Sequence, residues 1–321
     1  MYVDIAPEGH LSNESRSRAE MKAVSAYQTI ERAVVEAWPG HAVALIKARP
    51  TGVDQCETQE EVSKLILKIV GNDIQRYVDG YRWMCQMILE EELEFRRSGR
   101  YRLSSFEEVE RTVYANQDVM GRYMDGLLLS QVLWANHIAL LDYYIRDFLG
   151  EVSSATSHLE VGPGHGLLLY LATLVTKGRI TGWDVSQTSL QQTQVTLDRL
   201  GASHGIRLEE RSLFSGHPVT EFFDCVVISE VLEHLEHPNA ALRELFQRMQ
   251  LGGRIFINAP VNSPTVDHIH LFRTPEELVH LVAAAGFKVE SIRLAPTAGF
   301  TLERARKFGT TISCGIIGQR V

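Results

Sequence analysis

Three short groups of residues in the sequence have types and spacings that could do chemistry. The first is the run EVGPGHG at positions 160–166, where three glycines alternate with other residues behind an apolar stretch. Glycines at this spacing let the backbone turn tightly and approach a ligand, whose polar groups can meet free N–H donors at a helix start. The second is Asp184, at the end of the next apolar run. A carboxylate placed there could accept hydrogen bonds from both hydroxyls of a ribose.

The third group consists of acidic residues and histidines further along the chain. In EVLEH, the side chains of Glu230, Glu233 and His234 would fall on one helical turn and could point three ligands at a divalent ion. The run VDHIHLF adds His268 and His270. An imidazole can take up a proton near neutral pH. The candidate catalytic residues are therefore His234, His268, His270 and Glu230.

The second half of the chain contains the elements that must position these groups. From position 158 onward, apolar runs typical of strands alternate with helical segments. The predicted strands cover 158–162, 179–186, 205–210, 222–229, 254–260, 287–294 and 310–319, and the predicted helices cover 167–176, 187–200, 240–249 and 275–285. This alternation indicates a doubly wound, parallel α/β sheet with the glycine run directly after its first strand.

The first half has a different periodicity. Between about positions 12 and 149, apolar residues recur at three- and four-residue steps, which predicts helices and few strands. Ser105, with Glu108 three residues later, predicts a capping box at a helix start. The segment 120–149 is apolar on nearly all sides, so we expect it to lie between the two halves. The predicted domains are an all-helical cap at 1–150 and an α/β domain at 151–321.

The composition excludes several classes of protein. Hydrophobic residues make up 45% of the chain and charged residues 22%, which is typical of a globular protein rather than a disordered one. No membrane span and no signal peptide are expected, which favours a cytoplasmic location. The net charge of −8 argues against binding to nucleic acid. The four cysteines show no CxxC spacing and are expected to be reduced, buried thiols: Cys56, Cys85, Cys225 and Cys314.

Five motifs in order along the chain resemble those of class I S-adenosylmethionine-dependent methyltransferases, in particular the ubiquinone-pathway O-methyltransferases. They are LEVGPGHG (159–166), GWDVS (182–186), FFDCVVISEVLEHLEHP (222–238), LFQRMQLGGRIFINAP (245–260) and TPEELVHLVAAAGF (274–287). The glycine spacing agrees, because Leu167 stands where a dinucleotide-binding GxGxxG would have its third glycine. The resemblance covers 158–321 and implies a Rossmann-like, seven-stranded methyltransferase core in the order 3-2-1-4-5-7-6 with an antiparallel last strand.

The resemblance implies that S-adenosylmethionine (SAM) is the cofactor and that the second domain binds it. Relatives often carry an aspartate after the third strand that contacts the adenine, whereas this chain reads LEERSLFSG at 208–216. Ser212 or the backbone of Leu213 would have to take that role. The implied cofactor-binding residues are Glu160, Gly162, Pro163, Gly164, Gly166, Asp184, Val185, Ser212, Leu213, Ser229 and Glu230.

The resemblance leaves two interpretations of the EVLEH run open. A similar run carries a metal in ubiquinone-pathway O-methyltransferases and in small-RNA 2′-O-methyltransferases. In this chain the implied metal ligands are Glu230, Glu233, His234 and His268, with His270 as an alternative to His268. Such a metal would orient the acceptor and lower the pKa of its hydroxyl. Many metal-free relatives carry the same run, which then lines the methionine end of the cofactor.

The cap is expected to form the other wall of the site. The predicted substrate-binding residues are Tyr114, Tyr123, Trp134 and His137, with Met124, Ser130 and Tyr144 beside them. Aromatic residues with a few polar groups suit a small organic substrate, although the same residues could form plain interdomain core. Four arginines could attract a carboxylate or phosphate, or could form surface ion pairs: Arg96, Arg97, Arg100 and Arg102.

The expected function is methyl transfer to oxygen, nitrogen or an activated carbon of a small metabolite in specialised metabolism. Two alternatives remain open at this point. The first is methylation of a carrier-tethered or macromolecular substrate, RNA or protein, although the acidic chain lacks a basic stripe. The second is a binding module without catalytic activity. We expect no nucleic-acid or membrane partner, and the N-terminal half could form a homodimer.

Overall fold

A computed structural model describes residues 24–114, 116–151, 157–202, 204–216 and 219–321. The expectations for positions 12–23 and for most of the joint at 150–156 lie outside these residues. No helix within the described ranges has both the length and the apolar character that crossing a membrane requires.

The first half of the described chain is helical. Its α-helices are α1 (Ala26–Ala37), α2 (Ala42–Ala48), α3 (Val53–Val70), α4 (Ile74–Ser98), α5 (Phe106–Val109), α6 (Gln117–Leu133) and α7 (Ala135–Tyr143). Helices α4 and α6 cross closely because two glycines face each other. A Cβ atom on Gly80 would lie 2.8 Å from the carbonyl oxygen of Arg122, and one on Gly126 would lie 3.0 Å from the carbonyl oxygen of Gly80.

Two turns of π-helix interrupt the α-helices of this half. They cover Glu110–Tyr114, which follows α5, and Tyr144–Phe148, which follows α7. A π turn holds one residue more than an α turn and is frequent at functional sites. The first π turn ends on a tyrosine and the second begins on one.

The second half forms a seven-stranded sheet in the order β3-β2-β1-β4-β5-β7-β6. The strands are β1 (His158–Val161), β2 (Ile180–Asp184), β3 (Ile206–Glu210), β4 (Phe223–Ser229), β5 (Met249–Val261), β6 (Phe287–Pro296) and β7 (Ile312–Arg320). The first five strands pair in parallel, and β7 pairs antiparallel to both β5 and β6. The predicted fold class and strand order are confirmed.

Helices cover both faces of this sheet. They are α8 (Leu167–Thr173), α9 (Gln187–Leu200), α10 (Pro238–Gln247), α11 (Pro275–Ala284) and α12 (Leu302–Phe308). Val227, Phe256 and Ile317 of the sheet belong to one apolar core with the helices of the first half. On the opposite face, Val226 and Ile257 pack with α10, α11 and α12. The helical half is therefore one of the layers that bury the sheet.

One sheet glycine allows this layer to approach closely. A Cβ atom on Gly315 of β7 would lie 2.4 Å from Cδ1 of Leu140 in α7. Nearby, Nδ2 of Asn136 donates to the hydroxyl of Ser313 at 2.9 Å. The segment 120–149 thus packs against the sheet, although Trp134 divides it into α6 and α7. The domain boundary at 150/151 stays a prediction.

Some local expectations were wrong. Ser105 accepts from the N–H of Glu108 at 3.3 Å, but the Glu108 carboxylate accepts from the N–H of Ser104, so the capping box is incomplete. Helix α12 was not predicted. Cys225 and Cys314 are buried as expected, but Cys56 is exposed because α3 turns it to the surface.

Candidate active site

A cavity of about 490 Å³ lies between the carboxyl ends of β1, β2 and β4 and the helices of the first half. Its lining combines the glycine run after β1, Asp184 at the end of β2, and residues 229–240 after β4. Side chains from α5, α6, α7 and both π turns close the other side. In open α/β sheets the ligand site is at this edge of the sheet.

The glycine run forms a tight turn that brings backbone to the cavity. Gly162, Gly164 and Gly166 have φ angles of 69°, 54° and 77°, which are values that L side chains rarely adopt. A Cβ atom on Gly162 would lie 2.5 Å from Cγ2 of Val231. The turn therefore requires glycine for conformation and, at Gly162, also for space. Pro163 lines the cavity beside these glycines.

Asp184 presents a carboxylate with spare acceptor capacity. Its Oδ1 accepts from the N–H of Ser186 at 2.9 Å and its Oδ2 accepts from the hydroxyl of Ser189 at 2.6 Å. Each carboxylate oxygen has a second lone pair, so both can still accept from a ribose hydroxyl. Burial raises the pKa of Asp184, although these hydrogen bonds oppose the shift. Val185 lines the same part of the cavity.

The expected adenine side lies after β3. Ser212, Leu213 and Phe214 line the cavity there, and the hydroxyl of Ser212 accepts from the N–H of Phe214 at 3.1 Å. Arg211 lies over the ring of Trp183, with its Cζ 4.0 Å from the ring centroid. These residues give the adenine side apolar surface, backbone groups and one guanidinium.

Near the glycine run, the cavity contains a buried carboxyl group with no partner for one oxygen. Glu160 is 3% exposed, and its Oε2 has no hydrogen-bond partner among the described residues. Burial raises the pKa of Glu160 well above its usual value. An unpaired buried carboxyl is costly, so this position suits a cationic ligand group such as an ammonium.

Two neutral histidines lie in the same region. Nδ1 of His165 accepts from the N–H of Leu167 at 3.2 Å, which leaves its Nε2 as the protonated nitrogen. His137 of α7 has its Nδ1 3.0 Å from the hydroxyl of Ser130. Burial lowers the pKa of His137 to about 3 and that of His165 to about 4. Both rings therefore act in hydrogen bonding rather than as cations near neutral pH.

Glu230 lies in a strained conformation at the end of β4. Its φ angle is 54°, although it is not a glycine. Its N–H donates to the carbonyl of Asn258, and its Oε1 accepts from Nδ2 of Asn258 at 2.8 Å. The same amide nitrogen lies 3.1 Å from the hydroxyl of Ser229. Burial raises the pKa of Glu230 to about 7. Asn258 on β5 thus holds Glu230 and Ser229 at the cavity.

His234 is held so that one ring nitrogen is available to a ligand. Its Nδ1 lies 2.9 Å from the carbonyl oxygen of Asp267 and must donate to it, which leaves Nε2 as the acceptor. The hydroxyl of Tyr114 lies 3.3 Å from the same Nδ1. The carboxylate of Asp267 lies 3.6 Å from that nitrogen and accepts from the hydroxyls of Thr265 and Tyr123. Tyr114 of the cap therefore contacts His234, and Tyr123 of the cap contacts Asp267.

Asp267 is ionised inside this cluster. Burial alone would raise the pKa of Asp267, but the rings of His234 and His268 and the hydroxyl of Thr265 outweigh burial, so its pKa is lowered. The negative charge orients the ring of His234.

Glu233, His234 and His268 could hold a metal ion. One ligand atom from each lies within 4.8 Å of the others. Both carboxylate oxygens of Glu233 are buried and have no partner among the described residues. Nδ1 of His268 donates to the carbonyl of Ser263 at 2.6 Å, so its Nε2 is free to coordinate. Three of the four implied metal ligands therefore fit a site of this kind.

The predicted single helical turn through EVLEH was wrong. A 3₁₀ turn covers only Leu232–His234, and Glu230 lies before it with a positive φ. Glu230 is therefore turned toward Asn258 and does not belong to the three-residue cluster. The buried carboxyl of Glu233 nevertheless lies beside the ring of His234, and that ring lines the cavity.

Four predicted site residues do not line the cavity: Gly166, Glu233, Trp134 and His270. Trp134 donates from Nε1 to the hydroxyl of Tyr81 at 2.9 Å and packs inside the helical half. His270 packs against the ring of Phe272, with the two ring centroids 4.6 Å apart. The structure does bring Tyr114, Tyr123 and His137 to the cavity with His234 and His268.

The arginines at 96–102 do not face the cavity. Arg96, Arg97 and Arg102 form ion pairs with Glu92, Glu94 and Glu91 on or beside α4. The geometry therefore supports surface ion pairs for this loop rather than attraction of a carboxylate or phosphate.

Sequence reasoning missed several residues at the site. They are Asp267, Asn258, His165, Arg211, Met120 and Phe106. Asp267 stands between Val266 and His268, so its position in a run of ligand-type residues could have identified it. Met120 and Phe106 carry no comparable pattern, because only the tertiary packing of the cap brings them to the cavity.

The comparisons with known proteins agree with this geometry. Residues 159–255 match the family model described as a methyltransferase domain. An uncharacterized protein of Synechococcus sp. is 32% identical over 106 residues, which are 32% of this chain and 25% of that protein. The mitochondrial ubiquinone biosynthesis O-methyltransferase of Candida albicans is 31% identical over 114 residues, which are 35% of each chain. The chain thus spans about a quarter to a third of the length of these curated relatives.

Two solved structures share the fold. The structure of PigF with SAH has a TM-score of 0.52 at 13% identity and covers 96% of this chain and 100% of its own. The pyocyanin biosynthetic protein PhzM has a TM-score of 0.51 at 19% identity and covers 81% of this chain and 76% of its own. At these identities the similarity is one of fold, and it extends across the helical half as well as the sheet.

Proposed function

Because residues 159–255 match a methyltransferase domain, we propose that the chain transfers a methyl group from SAM to a small organic acceptor. The observation that carries this proposal is the cavity itself. One cavity is lined by the glycine run, Asp184 and His234 together with aromatic residues of the cap. A macromolecular acceptor would have to enter a space that the cap helices cover.

The residues present fit SAM. Asp184 has free lone pairs for the ribose hydroxyls, and Ser212, Leu213 and Phe214 provide the adenine side. The unpaired oxygen of Glu160 can accept from the ammonium of the methionine end, and Nε2–H of His165 can donate to its carboxylate. When bound, SAM supplies an electrophilic methyl group on a positively charged sulfur.

The chain's own residues would orient the acceptor and take up its proton. A methyl group moves by in-line displacement, so the acceptor atom must be held in line with the C–S bond and shielded from water. Tyr114, Met120 and Met124 supply that shield. For a hydroxyl acceptor, the O–H proton goes to Nε2 of His234, and Asp267 stabilises the resulting imidazolium. The O–CH₃ bond would form as the bond between that methyl group and sulfur breaks, with the electron pair left on the neutral sulfur of S-adenosylhomocysteine.

Calorimetry and a transfer assay test this proposal together. We expect SAM and S-adenosylhomocysteine (SAH) to bind the full chain with micromolar affinity, and methyl transfer to a member of a small-molecule panel. Loss of SAH binding in Asp184→Ala, with binding retained in Asp198→Ala on the exposed end of α9, would support the assigned cofactor site. Absence of SAH binding in the unaltered protein would refute the proposal.

A second version of this function includes a divalent metal. Its support is the buried carboxyl group of Glu233, whose oxygens have no hydrogen-bond partner among the described residues and which lies near Nε2 of both His234 and His268. A bound Mg²⁺ or Zn²⁺ would supply a positive charge that lowers the pKa of an acceptor hydroxyl. Glu233, His234 and His268 would hold it.

Chelation separates the metal-dependent version from the metal-free one. If the metal is used, the purified protein will contain about one equivalent by elemental analysis, and dialysis against EDTA will abolish transfer while SAH still binds. Glu233→Gln should then lose the metal. A metal-free preparation with full activity would eliminate the metal and leave His234 as the proton acceptor.

A further inference from the structure

We infer that the acceptor is an uncharged aromatic compound with a hydroxyl group, and that the cavity discriminates against acceptors that carry a carboxylate or a phosphate. This inference rests on the proposed methyl transfer and adds to it the class of the substrate. It follows from how apolar, polar and charged groups are distributed between the two ends of the cavity.

The acceptor end is walled mainly by apolar and aromatic side chains. Met120 and Met124 of α6 belong to a small apolar cluster with Val109 and Val113, and Tyr114 packs against it. The ring of Phe106 is tilted against the ring of Tyr114, with the two ring centroids 6.1 Å apart. Thioethers and aromatic rings bind flat apolar groups well, because the sulfur and the ring faces are polarizable.

Polar groups for the acceptor are concentrated on one wall. His234 presents Nε2 as an acceptor, with its Nδ1 fixed on the carbonyl of Asp267 at 2.9 Å. The lining residues from α6 are Met120, Tyr123, Met124, Leu127 and Gln131, and the hydroxyl of Tyr123 donates to Asp267 at 3.3 Å. Polar groups at His234 and Asp267 beside the apolar side chains of α6 fit a ligand with a hydroxyl on one edge and an apolar body.

The charges around the cavity are unsuited to an anion. Among the described lining residues, Arg211 is the one lysine or arginine, whereas five carry carboxyl groups. These acids are Glu160, Asp184, Glu230, Glu236 and Asp267. Arg211 follows β3 and belongs to the adenine side, where it covers Trp183 and lies 3.6 Å from Glu209. Asp267 and Glu236 lie at the His234 end, and the described lining has no lysine or arginine there, so the protein offers a desolvated carboxylate neither of these cationic partners.

The nearby arginines do not change this balance. Arg96, Arg97 and Arg102 form ion pairs with acids of α4 and lie outside the cavity lining. At the rim, the lining includes Glu236, whose carboxylate accepts from the N–H of Phe106. The approach to the cavity therefore also carries negative charge and disfavours phosphate-bearing acceptors, including phosphopantetheine-tethered ones.

Pairs of matched probes test the inference. The full chain, saturated with SAH, is titrated by calorimetry with para-hydroxybenzamide and para-hydroxybenzoate, and with hydroxynaphthamide and hydroxynaphthoate. Within each pair the two compounds differ by little except charge. We expect the amide to bind at least tenfold more tightly than the carboxylate in at least one pair, and no carboxylate to bind as tightly as its amide. The same neutral phenols should accept the methyl group from SAM.

A charge-adding variant sharpens the test. Phe106→Arg places a guanidinium at the cavity and should shift the preference between hydroxynaphthoate and hydroxynaphthamide about tenfold toward the carboxylate, while loss of the aromatic ring weakens binding of both. Phe308→Arg, on the exposed face of α12, is the matched control and should leave the preference unchanged.

The outcomes separate this inference from the proposed function. If SAH fails to bind, the proposed function is wrong. If SAH binds but a carboxylate binds as tightly as its amide, or no neutral phenol binds at millimolar concentration, the substrate class is wrong and the methyltransferase proposal stands. An unchanged preference in Phe106→Arg would also contradict the charge argument.

Discussion

The two ends of the cavity are built in opposite ways. The cofactor end is formed largely by residues 160–189, where one βαβ unit supplies the glycine turn, Asp184 and Ser189. The acceptor end is assembled from segments far apart in the chain, including Tyr114, His234 and Asp267. The first depends mainly on backbone conformation, and the second on side chains that reach each other across the interface between the helices and the sheet. Changes at the two ends should therefore separate binding of SAH from transfer of the methyl group.

The largest separation is expected at His234. Replacing His234 by Gln removes the nitrogen that accepts the proton, so kcat should fall about 1,000-fold while SAH affinity changes little. Steady-state kinetics with the best phenol of the panel and SAH calorimetry measure the two effects. His280→Gln, on the exposed side of α11, is the control. A parallel loss of SAH affinity in His234→Gln would assign His234 to the cofactor end.

The opposite separation is expected at Asp184. Asp184→Asn loses the charged acceptor of the ribose hydroxyls, which should weaken SAH binding by about 3 kcal/mol, a factor of about 100. Because burial raises the pKa of Asp184, SAH affinity of the unaltered protein should also decrease with falling pH as the carboxylate takes up a proton. The Asn variant should lack that pH dependence. Calorimetry between pH 7.5 and pH 5 would show both effects, and a pH dependence retained in the variant would exclude Asp184 as its source.

The glycine turn can be tested against another glycine of similar conformation. Gly162→Ala adds a clash with Val231 to an unfavourable φ angle, and should cost about 3 kcal/mol of unfolding free energy. Gly201 has a φ angle of 74° and open space where its Cβ would be, so Gly201→Ala should cost about 1 kcal/mol. Urea unfolding measures the difference. Equal costs would show that Val231 moves aside.

Part of the acid sensitivity of the fold should come from a histidine outside both ends. His158 of β1 is fully buried with no partner for either ring nitrogen among the described residues, and burial lowers its pKa to about 4. Between pH 6.5 and pH 4 the unfolded chain binds a proton that the folded chain does not. Stability is therefore complete above pH 6.5 and should be lower by about 2 kcal/mol at pH 5 from this residue alone.

The measurement is urea unfolding at both pH values. His158→Phe should reduce the loss between pH 7.5 and pH 5, and the exposed His280→Phe should not. If His158→Phe loses as much stability as the unaltered protein, the acid sensitivity lies elsewhere.

The smallest effect is expected at the arginine loop. The triple change of Arg96, Arg97 and Arg100 to Gln removes exposed charges and should alter stability by less than about 0.5 kcal/mol. Transfer to a neutral phenol should be unchanged. A rise in KM of tenfold or more would show that this loop contributes to acceptor binding.

The sequence predicted the sheet well because its strands and helices follow local patterns. Alternating apolar runs and helices predicted the doubly wound sheet, whereas the strand order came from the resemblance to methyltransferases, and the cofactor end depends on the glycine spacing and Asp184 of one βαβ unit. The acceptor end was predicted less completely. Trp134 has the same residue type as a pocket-lining aromatic, but the break between α6 and α7 directs its indole to Tyr81. Glu230 looked helical by spacing, whereas its bonds to Asn258 hold it in a left-handed conformation.

The two π turns bear on how the acceptor end can change in evolution. A π turn behaves as a helix that has gained one residue, and each residue of an α-helix corresponds to a rotation of about 100°. Deleting one residue from Glu110–Tyr114 or from Tyr144–Phe148 would restore a regular helix and turn the adjoining tyrosine away from the cavity. A single-codon deletion or insertion can therefore exchange the side chains that face the acceptor while the sheet and the glycine turn remain unchanged.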